Sequence, residues 1–341
     1  MSTSHRILAD TWYASEWGDL CVSLSRLIQE RCPAWLVGRA DRVSIVRQCL
    51  FFWLGRSYDL ALTHCGGRAW FFLFLEAWFG RKGRRVVFLE FIRSSRPSSW
   101  GHRLAHMLWF RLLGKPALRR AMRVAHVLTP WEPDHYAHMF GVTADRFRFI
   151  PWPLRYMDDR LPDHTDTPNI MVLSSGRAVC DWDTMFKAAE GTEWPLTIVC
   201  SRRDLPRVRR LNHHERARVL CDISREEHQR YVNAATVYVI CLKEAQISSG
   251  QVRVMNAVRA GTPIVATKVK GLDGYVVHGE SALLVEPGDH LGLREAIEQL
   301  LASPNYRREL ARTAFELASG RTYESYMASI RAMLLSSLED S

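Results

Sequence analysis

Short apolar runs alternate with longer helical patterns along this chain, and the alternation stops once, at a proline-studded stretch, before starting again. Strand-length runs separated by helix-length segments are the mark of βαβ units, which assemble into parallel sheets covered by helices. In the first half, strands are expected over His5–Ala9, Tyr58–Thr63, Arg85–Phe91, Val127–Thr129 and Phe147–Ile150. Helical patterns run over Leu20–Glu30, Ala69–Phe79 and His102–His126. Pro151, Pro153, Pro162 and Pro168 then punctuate a polar, Asp-rich stretch suited to a linker. Beyond it, strands are expected at Ile170–Leu173, Leu196–Cys200, Val219–Cys221, Val237–Leu242 and Ile264–Thr267, with helix after Pro304. The expected organisation is an α/β chain: a first doubly wound domain over 1–152, a linker over 153–168, a second domain over 169–304, and C-terminal helices over 305–341.

The 341 residues, 47% of them apolar, suffice for two ordinary cores. No run reaches the roughly 18 apolar residues of a membrane span; the strongest, Trp70–Phe79, is short and contains Glu76. The N-terminus lacks the regions of a signal peptide. The eight cysteines form no CxxC pair and no Cys/His cluster, which points to a reducing cytoplasm without structural zinc or disulfides. Charge is uneven: residues 1–150 carry 22 Lys/Arg against 11 Asp/Glu, and the remainder 24 against 25. The first half therefore suits an anionic neighbour, whether a membrane surface, a phosphorylated acceptor or a nucleic acid, although a solvated basic surface has the same composition.

The most informative segment runs from Glu244 to Thr267. It reads as a strand end, a small-residue turn at Ser248-Ser249-Gly250, a helix to about Ala260, then Gly261-Thr262-Pro263 and a buried strand. Unpaired backbone N–H groups and the helix dipole make such a helix start a ready site for phosphate. Gly250, without a Cβ, would allow an anion to approach closely. The same turn also suits an ordinary helix capped by Ser248 or Ser249.

From about Ser174 to Arg321 the chain resembles the donor-binding half of glycosyltransferase family 4. Ser175-Gly176-Arg177 with Asp181–Thr184 is similar to the start of the family's second domain, and Cys221–Ser224 with Glu226, Glu227 and Tyr231 to the turn and helix flanking the nucleotide base. Ala234–Val239, Ala260–Thr267, and Gly271, Tyr275, Gly279 and Leu284–Asp289 complete an ordered series. The resemblance implies two facing Rossmann-like domains, the GT-B arrangement, and transfer of a sugar from a nucleotide-sugar donor (UDP- or GDP-linked) to an acceptor hydroxyl. Retention of configuration and independence of metal come with it, as no acidic cluster suggests a metal.

The resemblance implies a donor diphosphate on Ser249, Gly250 and Gln251, with Arg177 opposite, since a guanidinium grips oxyanions bidentately. Where the family carries a lysine six residues after that arginine, this chain has Asp183; Arg202 or Arg203 would supply the missing cation, or lie at the surface. The family's two glutamates around the phosphate helix are replaced by Ser248 and Asn256. Asn256 can still hydrogen-bond a ribose. Ser248 is a weaker substitute for a carboxylate on the transferred sugar, and Glu244 upstream is a candidate for that space. Ser248 in place of glutamate leaves open a donor-binding protein that has lost catalysis, and among enzymes the rival is a nucleotide-sugar epimerase or phosphorylase on the same fold.

In the first half, Gly18 stands where the family has its Gly-rich loop against the donor phosphates. His64 follows a strand at a position the family often fills with histidine, and can equally be structural. Glu90, where many members carry histidine, is a candidate to orient or deprotonate the acceptor hydroxyl. Its place at a strand's carboxyl end is where ligands of open α/β sheets gather. The acceptor class stays open among glycans, lipid-linked intermediates and secondary metabolites. Basic and aromatic residues mixed through Trp70–Arg85 and Trp100–Arg123 would suit peripheral docking on the inner face of an anionic membrane. Nucleic-acid binding would explain the charge but not the donor-like half.

Overall fold

Runs of Val, Leu, Ile, Ala and Phe buried on both faces form the central strands of two sheets, because a parallel sheet covered by helices leaves no polar face. The protein is described by a computed structural model over residues 6–80, 83–93, 108–154, 170–213 and 215–339. Its contacts divide into two units: Met1–Ile150 with Met327–Ser341, and Pro151–Tyr326.

The first unit's strands are β1 (Ile7–Asp10), β2 (Cys21–Ser23), β3 (Leu60–His64), β4 (Val86–Leu89), β5 (Met122–Val127) and β6 (Phe147–Phe149). They are parallel and ordered β2-β1-β3-β4-β5-β6. The helices are α1 (Leu24–Arg31), α2 (Ala34–Arg42), α3 (Ser44–Gly55), α4 (Gly67–Phe79), α5 (Lys115–Ala121) and α6 (Glu132–Phe140). Phe51 of α3 stacks on Phe72 of α4 at 4.1 Å within the core.

The helix expected from Leu20 starts at Leu24, because Cys21–Ser23 pairs with β1 as an edge strand. The helix expected to reach His126 ends at Ala121. Met122–Val127 lies instead between β4 and β6, where the β-branched Val124 and Val127 are buried. Arg85, the end of the basic and aromatic stretch expected to suit membrane docking, is buried: its guanidinium pairs with Glu76 and donates to the carbonyls of Gly55 and Tyr58. His5, Arg81, Lys82, the 94–107 part of the basic aromatic stretch, and 155–168 of the expected linker lie outside the described residues.

The second unit contains β7 (Val172–Gly176), β8 (Leu196–Cys200), β9 (Ala217–Cys221), β10 (Val237–Ile240), β11 (Ile264–Thr267) and β12 (Leu283–Val285). They are parallel in the order β12-β11-β10-β7-β8-β9. Helices α7 (Trp182–Ala189), α8 (Leu205–Leu211), α9 (Arg225–Ala234), α10 (Gln251–Ala260), α11 (His290–Ala302) and α12 (Pro304–Ala318) contribute to two cores of buried side chains. A last helix, α13 (Tyr323–Glu339), re-enters the first unit from Met327, where Arg331 donates to both oxygens of Asp19 at 2.8 and 2.6 Å. Each sheet is thus a Rossmann-like, doubly wound layer. Strand order reverses between β1 and β3 in one unit and between β7 and β10 in the other, and open α/β sheets bind ligands at such points.

Candidate functional site

At the first reversal, β1 ends in Asp10, β3 in His64, and β4 is followed by Glu90. His64 meets the Thr11 hydroxyl through Nε2 at 2.7 Å, and its Nδ1 lies 3.8 Å from Oε2 of Glu90. Burial outweighs the nearby Asp10 charge and pushes the imidazole down to about 4, so at neutral pH this is a contact of neutral histidine with carboxylate, not an ion pair. The Tyr13 hydroxyl donates to the other Glu90 oxygen at 3.5 Å. Glu90 has a backbone φ of 50°, unusual for a residue with a side chain, and its amide donates to Nδ1 of buried His126 at 3.3 Å. The Trp12 ring stacks on His64 at 4.1 Å. Arg47 of α3 grips both oxygens of Asp10 and also donates to Ser25. Asp10, Thr11, Trp12, Ser25, Arg47 and His64 border a pocket of about 830 Å³. His64 and Glu90, named from sequence, therefore come together; Tyr13 and His126 were missed, since nothing in their spacing signals a shared carboxylate.

At the second reversal, β7 ends at Ser175-Gly176 and α10 begins at Gln251, with Gly250 as its N-cap at φ 105°. The first helical bond runs from the Val254 amide to Gly250, so the amides of Gln251, Val252 and Arg253 have no intrahelical partner. Arg253 in that first turn donates from Nη1 to the Ser175 carbonyl at 2.7 Å. A Cβ on Gly176 would lie 2.6 Å from this Nη1 and overlap Cys180 Sγ, so the β7 end must be glycine for the guanidinium to sit there. The Ser175 hydroxyl bonds Nε2 of His228 at 2.8 Å and the buried Tyr238 hydroxyl. Burial, then the charges of Arg253 and Arg177, lower the His228 pKa, keeping it neutral. Arg253 was not singled out from sequence. Its signal was its place on the first turn of the phosphate-type helix.

Arg177 follows β7 and is 73% exposed, 4.0 Å from Asp222; Arg202, 87% exposed, meets the same carboxylate at 3.2 Å. Arg203 is exposed beside it. Asn256 lies three residues beyond Arg253 on α10 and so shares its face. Ser249 is half-buried, and Glu244 is exposed on the loop leading to α10.

The expectations for Gly250, Ser248 and Gly18 need correction. The Cβ direction of Gly250 points at Leu272 Cδ2, 2.7 Å away, and at Leu242, so its lack of a side chain serves core packing and a positive φ, not the approach of an anion. The Gln251 side chain is buried and donates to the Gly271 carbonyl at 2.6 Å, and Ser248 is buried as well. These two can meet a ligand at most through the backbone. Gly18 follows a short 3-10 turn at Trp12–Trp17, has an ordinary φ of −61°, and leads into β2. Next to it, the Leu20 carbonyl accepts from Ile7 at the start of β1, which puts Gly18 at the amino-terminal edge of the sheet, opposite His64 and Glu90.

Among the described residues, no group of three or more His, Cys, Asp or Glu is arranged to hold a metal, and no helix is long and apolar enough to cross a membrane. The profile of the family described as Glycosyl transferases group 1 matches residues 181–303. Over 103 residues the chain is 30% identical to the lipopolysaccharide core biosynthesis glycosyltransferase LpsE of Rhizobium meliloti, covering 30% of each protein. Over 87 residues it is 34% identical to a D-inositol 3-phosphate glycosyltransferase of Corynebacterium urealyticum, covering 26% of this chain and 20% of that one. These matches span less than a third of either curated relative. Among solved structures, Anabaena HepE in complex with UDP-glucose superposes with a TM-score of 0.69 at 15% identity, covering 97% of this chain and 99% of that one. Sucrose-phosphate synthase of Thermosynechococcus elongatus gives 0.69 at 22%, covering 87% and 78%. Residues 181–303 are therefore similar to the glycosyl transferases group 1, in a chain whose two Rossmann-like domains have the GT-B fold.

Proposed function

We propose that this chain transfers a sugar from a nucleotide-sugar donor, of the UDP type, to an acceptor hydroxyl, with retention and without a metal. The observation that carries this reading is the free-amide start of α10 beside Arg253 and the β7 end, inside the segment that matches the family. The donor diphosphate rests on the amides of Gln251, Val252 and Arg253. Arg177 turns from Asp222 toward it, with Arg202 and Arg203 as further cations and Asn256 toward the ribose. Fixed amide dipoles and guanidinium groups offset the charge that develops on the leaving diphosphate. Glu90, oriented by Tyr13 and His126, accepts or steers the acceptor proton, and neutral His64 holds the Thr11 side of the pocket. Glu244 is the carboxylate nearest in sequence to α10 and serves the transferred sugar.

UDP rather than GDP follows the ligands named for HepE. The exposed Trp109, Leu112 and Phe79, with exposed Arg111 and with Arg120 over the Trp78 ring, support docking on the cytoplasmic face of an anionic membrane. Burial of Ser248, where the family places a glutamate, favours one second reading, a donor-binding protein without transfer. Thermal melts with UDP, UDP-glucose and a GDP-sugar test the main reading. A ligand at 100 times its Kd stabilises by about 2.7 kcal/mol, and this shift is expected for UDP-glucose with wild type and is lost in Arg177→Ala and Arg253→Ala. No stabilisation by any of the three would sink the proposal. Stabilisation without release of UDP in the presence of glycan, lipid-linked or small-molecule acceptors would establish the second reading.

A further inference from the structure

The pocket at the β1/β3 reversal contains a polar group that the protein leaves unsatisfied. Gln48 of α3 lines it and is only 4% exposed, and its Oε1 has no hydrogen-bond partner. A buried amide atom without a partner is costly, so such groups mark places where a ligand or water completes the bonding. Whichever way the amide is turned, it offers a ligand hydroxyl a donor or an acceptor.

Two further features narrow the chemistry. Arg47 also lines the pocket, yet Asp10 holds it through three contacts of 2.5 to 3.3 Å and Ser25 through a fourth. Its charge is already met, so the pocket does not select a phosphate or carboxylate. Ser15, Ser23 and Thr63 add neutral hydroxyls to the lining. Trp12 gives one face to His64 but is 68% exposed, an indole plate at the edge of a polar pocket. The ring C–H groups of a pyranose carry slight positive charge and pack on the negative face of such a plate. The volume falls within the roughly 300–1,000 Å³ usual for small-molecule sites.

We infer that this pocket is the acceptor subsite and that it takes an uncharged pyranose, ring against Trp12 and hydroxyl against Gln48. This rests on the transferase reading above. An apolar aglycone would leave the Gln48 amide unpaired, and an anionic acceptor would find its matching cation already engaged.

Saturation-transfer NMR on the full chain, in the presence of UDP, tests it with methyl α-glucopyranoside, methyl α-mannopyranoside and methyl β-galactopyranoside. Toluene serves as the apolar probe and methyl phosphate as the anionic one. At least one pyranoside is expected to bind, and to weaken by about tenfold in Gln48→Leu, the loss of one hydrogen bond to a buried group. Trp12→Ala, a change at an exposed position, is expected to weaken the same sugar while leaving the melting temperature in place. Binding of toluene or methyl phosphate in preference to every sugar, or sugar binding indifferent to both substitutions, overturns the inference, as does no sugar binding to wild type. UDP is titrated separately: its failure to bind defeats the donor reading, whereas its binding with no pyranoside in the pocket defeats only this one.

Discussion

Protonation of His126 should loosen the centre of the first sheet. The imidazole is fully buried, its Nδ1 accepting the Glu90 amide at 3.3 Å and its Nε2 donating to the Ile150 carbonyl at 2.8 Å. Both nitrogens are therefore used in the neutral form, and a proton on Nδ1 would face an N–H group. Burial, joined by His64 and opposed by the Ile150 carbonyl, pushes the pKa from 6.5 to about 4. The unfolded chain thus binds this proton at higher pH than the folded chain. Stability is complete above 6.5 and is lost as pH falls toward 4. The full difference is about 3 kcal/mol, of which about 2 kcal/mol is gone by pH 5.

The assay is urea denaturation of wild type and His126→Gln at pH 7.5 and pH 5, with hydrogen exchange read in peptides covering β5. At the higher pH the variant should be less stable by about 1–3 kcal/mol, because a flexible amide cannot hold the bonds to the Glu90 amide and the Ile150 carbonyl at the geometry the buried ring fixes. At pH 5 the gap should shrink by about 2 kcal/mol, since only wild type has this proton to take up. His64, also held near 4, titrates in both proteins and cancels. A gap that stays constant between the two conditions would refute the reasoning.

Gly250→Ala should destabilise the second unit by about 1–3 kcal/mol, from overpacking, because the new Cβ meets Leu272 at 2.7 Å and the backbone is at φ 105°; differential scanning calorimetry reads this, and an unchanged melt contradicts the packing account. Arg85→Met should cost about 3–5 kcal/mol, the usual result of leaving one member of a buried pair alone, here Glu76. Arg85→Met with Glu76→Leu should recover much of that loss in the same denaturation experiment, and no recovery would show that the carbonyl contacts to Gly55 and Tyr58 dominate.

Local patterns were enough for the architecture. Apolar runs such as Leu196–Cys200 and Ile264–Thr267 have only one stable setting, a strand between others covered by helices, and each is a strand over those residues. Short-range pattern failed where tertiary pairing decides: Met122–Val127 has helical neighbours, and only its place between β4 and β6 makes it a strand. The same holds at the candidate site. His64 and Glu90 were legible because each stands at the carboxyl end of a strand, and the ends of adjacent parallel strands must lie side by side. The direction of a side chain was not legible. Sequence offers no way to know that Gly250 faces Leu272, that Gln251 turns inward to Gly271, or that Arg253 reaches Ser175 across the reversal of strand order. Those contacts join residues tens of positions apart, and only the packed backbone sets which of them meet.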